Sequence, residues 1–172
     1  RMKIYIYDSR TISHGEAVMV LKASKLLNQG APMPEIITQI TALRQKMTIY
    51  MTVDNLKTMI RTKRISAPAG FFANLFDIKP IVYLDDSGKL IPFEKVRSFD
   101  KCILRLAEIV VDEVKGKKGQ MYLMSGQLNP YIKPLTMHLE QRGYADIPVM
   151  PIASVSLANI GVFALCVIFI ED

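Results

Sequence analysis

Cysteine is scarce in this 172-residue chain: Cys102 and Cys166 stand far apart and outside any C-x-x-C. That excludes a disulfide framework and a zinc ribbon, and it fits a reducing cytoplasm as the compartment. Histidine is equally scarce, with His14 and His138 alone. A metal site would then need carboxylates, and none cluster along the chain. There is no G-x-S-x-G, and Ser13-His14, as chain neighbours, seldom face one another, so a serine triad has no support. There is no G-x-G-x-x-G either. Gly116-Lys117-Lys118-Gly119 lacks phosphate-loop spacing and opens no helix after a strand. No secretory signal opens the chain. Its start, Arg1-Met2-Lys3, is what a piece cut from a longer chain, or one carrying a remnant residue, would show.

What is present is apolar and mildly basic. The length suits one domain, able to bury roughly two-thirds of its unfolded surface. Charged residues are 22% of the chain, so wholesale disorder is not expected. The net charge of +6 includes clusters at 61–64 and 115–118. Such a balance permits nucleic acid or an acidic membrane surface as a partner, and two solvated basic turns account for it as simply. No aromatic residue interleaves the cations at 61–64, so a nucleic-acid partner is not expected.

Mean hydropathy is +0.20, and its source is a run of 24 uncharged residues at 147–170. The run is long enough to cross a bilayer, but Pro148 and Pro151 break its first turns. The β-formers Val162, Val167, Ile168 and Phe169 follow Asn159 and Gly161. Two interior strands are expected instead, at 152–157 and 162–170, hinged at 158–161 and buried on both faces.

The rest alternates. Strands are expected at 3–7, 48–53, 78–84, 89–93 and 120–125. The pair at 78–84 and 89–93 forms a hairpin around Asp85-Asp86-Ser87-Gly88. Residues 16–28 form a helix with Ala17, Val20, Leu21 and Leu27 on its buried stripe, ended by Gly30. Pro34 opens the next helix, where Ile36, Ile40, Leu43 and Met47 repeat at helical spacing. Asp54 is placed to cap a helix reaching about Arg61. Further helices are expected at 69–76, 99–115 and 130–142, the second with Phe99, Cys102, Ile103, Leu106, Ile109 and Val110 inward. Strands interleaved with helices predict an α/β fold with a mixed sheet flanked by helices.

Arg61, Lys63 and Arg64 precede the small-residue and aromatic stretch 67–76. This juxtaposition suits an amphiphile, with an anionic head on arginine and an acyl tail among apolar walls; a basic helix end answering its own dipole is the plain alternative.

Several segments, taken together, resemble the DegV family. Leu56-Lys57-Thr58-Met59-Ile60-Arg61-Thr62-Lys63-Arg64-Ile65 is similar to its L-x-x-L-x-x-G-G-R-I. Leu75-Phe76-Asp77-Ile78-Lys79-Pro80-Ile81 is similar to L-L-x-I-K-P-I. Ser87-Gly88-Lys89-Leu90-Ile91-Pro92 and Lys95-Val96-Arg97 resemble D-G-x-I-x-P and K-V-R. Tyr7-Asp8-Ser9 with Ser13-His14-Gly15 resembles D-S-x-x-x-S-x-G, and the break at 30–35 resembles G-x-S-x-E-E-I. The resemblance covers the whole chain, but only the C-terminal part of the family's chain: its T-S-x-P-S and S-G-T-Y segments have no counterpart here.

The resemblance implies binding of one long-chain fatty acid, with no cofactor and no metal. It implies a carrier rather than an enzyme, presenting the acyl carboxylate to a fatty acid kinase in a bacterial cytoplasm. Residues 1–172 would be the C-terminal domain of a two-domain fold, partnered by the absent N-terminal head-group domain or by a second copy, with transient contact to a membrane surface allowed. Arg64, Lys79, Arg97 and Asn159 would surround the head. Phe71, Phe72, Leu75, Phe76 and Ile160 would line the tail. Three departures bear on this. Thr62-Lys63 replaces Gly-Gly, Asn159 replaces the histidine of H-x-G-P-G-A, and Val162-Phe163 replaces its Pro-Gly. They also support a rival expectation, a domain without lipid binding that acts as a protein-interaction module.

Overall fold

The computed structural model describes residues 3–65, 78–126 and 129–172. Its elements are α1 (His14–Asn28), α2 (Met33–Gln45), β1 (Met47–Thr52), α3 (Lys57–Arg61), β2 (Lys79–Leu84), β3 (Leu90–Val96), α4 (Phe99–Glu113), β4 (Gly119–Ser125), α5 (Ile132–Glu140), β5 (Val149–Pro151), α6 (Ser154–Ile160) and β6 (Leu165–Glu171). The strands form one six-stranded sheet in the order β3-β2-β1-β6-β4-β5. The β2 and β3 hairpin is antiparallel like most of the sheet; β4 with β5 is the parallel pair that makes it mixed. The expected fold class is therefore the one observed.

Side-chain alternation divides the core in two. Met47, Ile49 and Met51 of β1, Cys166 and Ile168 of β6, and Met124 of β4 face α1, α2, α3 and α6. Tyr50, Leu165, Val167, Phe169, Met121 and Leu123 face α4 and α5. β6 is thus covered on both sides, which is why its sequence reads as a continuous apolar run. The buried stripe of α4 is the expected one, from Cys102 to Val110, and Ser98 caps it by accepting from the Lys101 N–H at 3.4 Å.

Several expectations need correction. Residues 152–157 are not a strand: α6 begins at Ser154 with Ser156 and Ile160 buried four apart, and Ile152 is buried just ahead of it. Gly161, at φ +101°, ends that helix, and the final strand starts at Leu165 rather than at 162. Residues 3–7 pair with no strand among the described residues, and Ile4 and Ile6 are 77% and 97% exposed. In α1 the inward residues are Gly15, Met19 and Leu26, while Val20, Leu21 and Leu27 are exposed. That helix is apolar nearly all round, so periodicity alone did not choose its face. Asp54 caps nothing; Leu56 holds the N-cap position of α3, and Asp54 binds Lys79 instead. The helix expected at 69–76 lies outside the described residues.

Two contacts fix the segment that leads into α1. Arg44, 4% exposed, donates from Nε to the Arg10 carbonyl (2.9 Å) and from Nη2 to the Asp85 carbonyl (2.6 Å). Ser13 Oγ accepts the Ala153 N–H at 3.2 Å. The β2 and β3 turn meets the same segment. Gly88, at φ +80°, lies so close to Arg10 that an added Cβ would sit 3.0 Å from its Cα, so glycine serves there both for its backbone angle and for its bareness. Asp85 closes that turn by accepting the N–H groups of Ser87 (2.9 Å) and Lys89 (2.8 Å).

Candidate ligand site under Arg64

α3 is a single short helix whose exit aims Arg64. Lys63 turns the chain with φ +54°, its N–H bonding the Ile60 carbonyl at 3.1 Å and that of Arg64 the Met59 carbonyl at 2.8 Å. This is a left-handed helix end of the kind glycine usually supplies. The chain keeps the turn without either glycine of the G-G-R-I pattern. Thr62 adds what glycine cannot: its hydroxyl lies 2.9 Å from the Thr58 carbonyl and 3.2 Å from that of Asn159, fastening α3 to α6.

Arg64 and Asn159 meet there. The Arg64 Nε donates to Asn159 Oδ1 at 3.3 Å, while Asn159 Nδ2 donates back into α6, to the Val155 carbonyl, at 2.7 Å. The two amide ends of Asn159 are thereby assigned, and its oxygen faces the cation. Together they stand at the rim of a cavity of ≈ 220 Å³. Ser156 adds a polar atom to the wall; Ile12, Leu84, Leu90, Val155 and Ile160 supply the apolar lining. The arrangement can receive an anionic head at the rim and apolar atoms below.

The sequence-expected cluster is thus brought together in part. Arg64, Asn159 and Ile160 converge on this cavity. Lys79 does not line it. Its ammonium is 2.6 Å from Asp54 Oδ1 and 4.7 Å from the Phe99 ring centroid, a pairing that satisfies it locally. Lys79's hydrogen bond holds the Asp54 carboxyl below the usual range, against the opposing effect of burial. Arg97, just past β3, is exposed and does not line the cavity. Phe71, Phe72, Leu75 and Phe76 lie outside the described residues. Ile12, Leu84, Val155 and Ser156 were missed. Leu90 and Gly88 sat inside the segment similar to D-G-x-I-x-P, a signal that could have placed the hairpin end at the site.

A wider groove of ≈ 730 Å³ runs on another side of α6, past Ser13, His14, Ala17, Met150, Leu157 and Val162. His14 lies against Tyr122, ring centroids 4.6 Å apart, and burial lowers its pKa by disfavouring the charged imidazolium. Neither cysteine is poised for chemistry. Burial pushes Cys102 up to about 11 and Cys166 up to about 12. Among the described residues no three metal-ligating side chains group together, and no helix is long and apolar enough to cross a membrane.

An open mixed sheet with helices on both faces defines an α/β domain, and the cavity under Arg64 lies between α6 and the β2 and β3 hairpin. The family model described as "Uncharacterised protein, DegV family" matches residues 1–172. The chain belongs to the DegV family. A DegV domain-containing protein of Clostridium acetobutylicum is 35% identical over 126 residues, 73% of this chain and 45% of that protein. Among solved structures, the fatty acid binding DegV family protein of Streptococcus agalactiae superposes with a TM-score of 0.86 at 22% identity, covering 99% of this chain and 61% of that one. A DegV family protein of Eubacterium eligens loaded with heptadecanoic acid gives 0.78 at 17% identity, covering 99% of this chain and 62% of that one. At these identities the two structures establish likeness of fold. The chain spans less than half the length of the matched C. acetobutylicum relative.

Proposed function

We propose that this chain binds a long-chain fatty acid and, as part of a carrier, presents its carboxylate to a fatty acid kinase. The observation that carries the reading is the Arg64 and Asn159 pair at the rim of an apolar cavity. A guanidinium gives a carboxylate charge-assisted hydrogen bonds, and the cavity wall beside it is mostly apolar, with Ile12, Leu84, Leu90, Val155 and Ile160 in it. The solved relatives described as fatty acid binding, one of them loaded with heptadecanoic acid, support the ligand class. Phe71, Phe72, Leu75 and Phe76 are kept as tail contacts on the family resemblance alone. Arg97 contributes long-range positive potential rather than contact, and Lys79, paired with Asp54, is held in reserve. The chain acts as the C-terminal domain of a two-domain carrier, working in the cytoplasm. Its net charge of +6 favours passing contact with an acidic membrane surface, the source of its cargo.

The test is native mass spectrometry and lipid extraction of the gently purified chain, alone and joined to the N-terminal portion of a relative. A bound C16–C18 acid is expected (order of length taken from ordinary membrane acyl chains, roughly half a bilayer each). Protein that stays lipid-free in both forms, and takes up no added acid, overturns the reading.

One observation favours the second reading, an interaction module without lipid. Val20, Leu21 and Leu27 of α1 are 61%, 69% and 61% exposed on one helix, an apolar surface suited to association. Light scattering of the lipid-free chain separates the two: concentration-dependent self-association without acid uptake supports the module.

A further inference from the structure

The cavity under Arg64 shares part of its wall with a second void. Ile12 and Ile160 line both, and the second, almost filled, lies between α6 and the sheet with a volume of ≈ 10 Å³. An outer cavity of ≈ 220 Å³ is smaller than the ~300–1,000 Å³ of ordinary small-molecule sites. A long acyl tail therefore needs more room than the rim pocket has. The inner void is lined by apolar side chains and one thiol and is at the limit of what a single water occupies, so hydrocarbon is the chemistry it can admit.

Its floor has a definite construction. In the strand register Met51 of β1 lies opposite Cys166 of β6, and Cys166 lies opposite Met124 of β4. All three point to the α6 side. A row therefore crosses three adjacent strands with a small side chain in the middle and a methionine on each flank. Methionine has three rotatable bonds and a polarisable sulfur, so it vacates or fills a gap at low cost. The small central residue leaves a trough once the flanking thioethers swing aside.

Resting on the fatty acid reading, we infer that Met51, Cys166 and Met124 form the terminal slot of the acyl site and set the length of tail it accepts. Ile12 and Ile160 are the gate between slot and rim. The empty slot is filled by its own methionines, and an entering tail displaces them.

The experiment titrates the full chain and its variants with straight-chain acids from decanoic to octadecanoic, following both affinity and melting temperature. Met124→Ala lengthens the slot and shifts the preferred acid to a longer one, by about fourfold in affinity for each methylene newly buried. Its melting temperature falls without ligand and recovers more with octadecanoate than the parent's rises. Cys166→Val fills the trough and shifts the preference the other way, so the inference survives a folding failure of either variant. Acid binding by the parent chain with an unchanged length profile in both variants overturns the slot and leaves the fatty acid reading standing; it would place the tail along the open groove beside Leu157. A parent chain that binds none of the acids overturns the fatty acid reading itself, and the slot with it.

Discussion

The two faces of the sheet are built differently. On the α4 and α5 face Cys102, Ile103, Leu106, Val110, Leu135 and Leu139 are all at 0% exposure. The rim of that face is laced by Arg105 with Glu94 and Glu108, and by Arg142 with Glu108. The α1, α2 and α6 face carries every cavity described above. It also carries Thr11 Oγ1, His14 Nε2 and Arg44 Nη1, buried polar atoms without a hydrogen-bond partner among the described residues. Buried polar groups left unpaired cost on the order of 1–3 kcal/mol each. One face is packed for stability, and the other gives up packing to keep rooms and polar atoms beside them. The difference teaches that fold and site are separable here, and mutations can test the separation.

The largest expected effect falls on the closed face. Leu106→Ala removes a fully buried side chain and should cost about 2–5 kcal/mol of stability, read as a lower urea midpoint. Its effect on acid affinity should be negligible at temperatures where the variant is folded. A matching loss of affinity would show that the faces are coupled. Next comes Arg64→Ala on the open face, which should weaken acid binding by about 1.5–3 kcal/mol where the bound carboxylate desolvates the pair. Arg64 is exposed, so its melting temperature without ligand should barely move. An affinity unchanged by calorimetry would make Arg64 surface decoration and remove the rim from the site.

The closed face was also the legible one. The stripe of α4, from Cys102 to Val110, could be read because the polar side of that helix is charged. β6 could be read because burial on both sides leaves no alternation to misinterpret. On the open face the same signals fail. α1 offers apolar residues all round, and α6 is a seven-residue helix of Ser, Val, Leu, Ala, Asn and Ile inside a run whose composition suits strands. Residues 3–7 alternate like a strand but find no partner among the described residues. Periodicity shows which residues want burial and not what buries them. Arg64, Asn159 and Ile160 were reached through motif resemblance. Lys79 was placed with them by its match to the lysine of I-K-P, and a motif along the chain cannot show that Asp54, from the loop after β1, would claim it.

A smaller effect concerns that claimed lysine. The Asp54 and Lys79 pair is partly exposed, at 45% and 23%, so solvent screening limits it to about 0.5–1 kcal/mol. The Asp54 carboxyl is held below its usual pKa, chiefly by the Lys79 hydrogen bond. Its contribution is therefore fully present above the unfolded-state value and is lost as pH falls through the lowered folded one. Asp54→Asn should be less stable than the parent at neutral pH, and the gap should close as pH falls below the ordinary carboxylate range. Acid affinity at neutral pH should stay as it is, because Lys79 does not line the cavity. An affinity that rises in Asp54→Asn would mean that the freed Lys79 reaches the head group, as the motif alone suggested.

The smallest effect lies at the border between site and scaffold. Lys63 holds φ +54°, a left-handed conformation that costs a residue with a Cβ roughly 1–2 kcal/mol and glycine almost nothing. Glycine gives part of that back through its freer unfolded chain, so Lys63→Gly should raise stability by about 0.5 kcal/mol. Thr62 is different. Its hydroxyl bonds the Asn159 carbonyl, so Thr62→Gly removes a fastening between α3 and α6 and should loosen the rim. Restoring both glycines of the family pattern should then gain at one position and lose at the other. Measured singly and together by thermal melting and acid titration, Lys63→Gly should shift stability alone, while Thr62→Gly should also weaken binding. If both variants act only on stability, the fastening of α3 to α6 belongs to the scaffold, and the functional part of the open face shrinks to the Arg64 and Asn159 pair and the cavity beneath it.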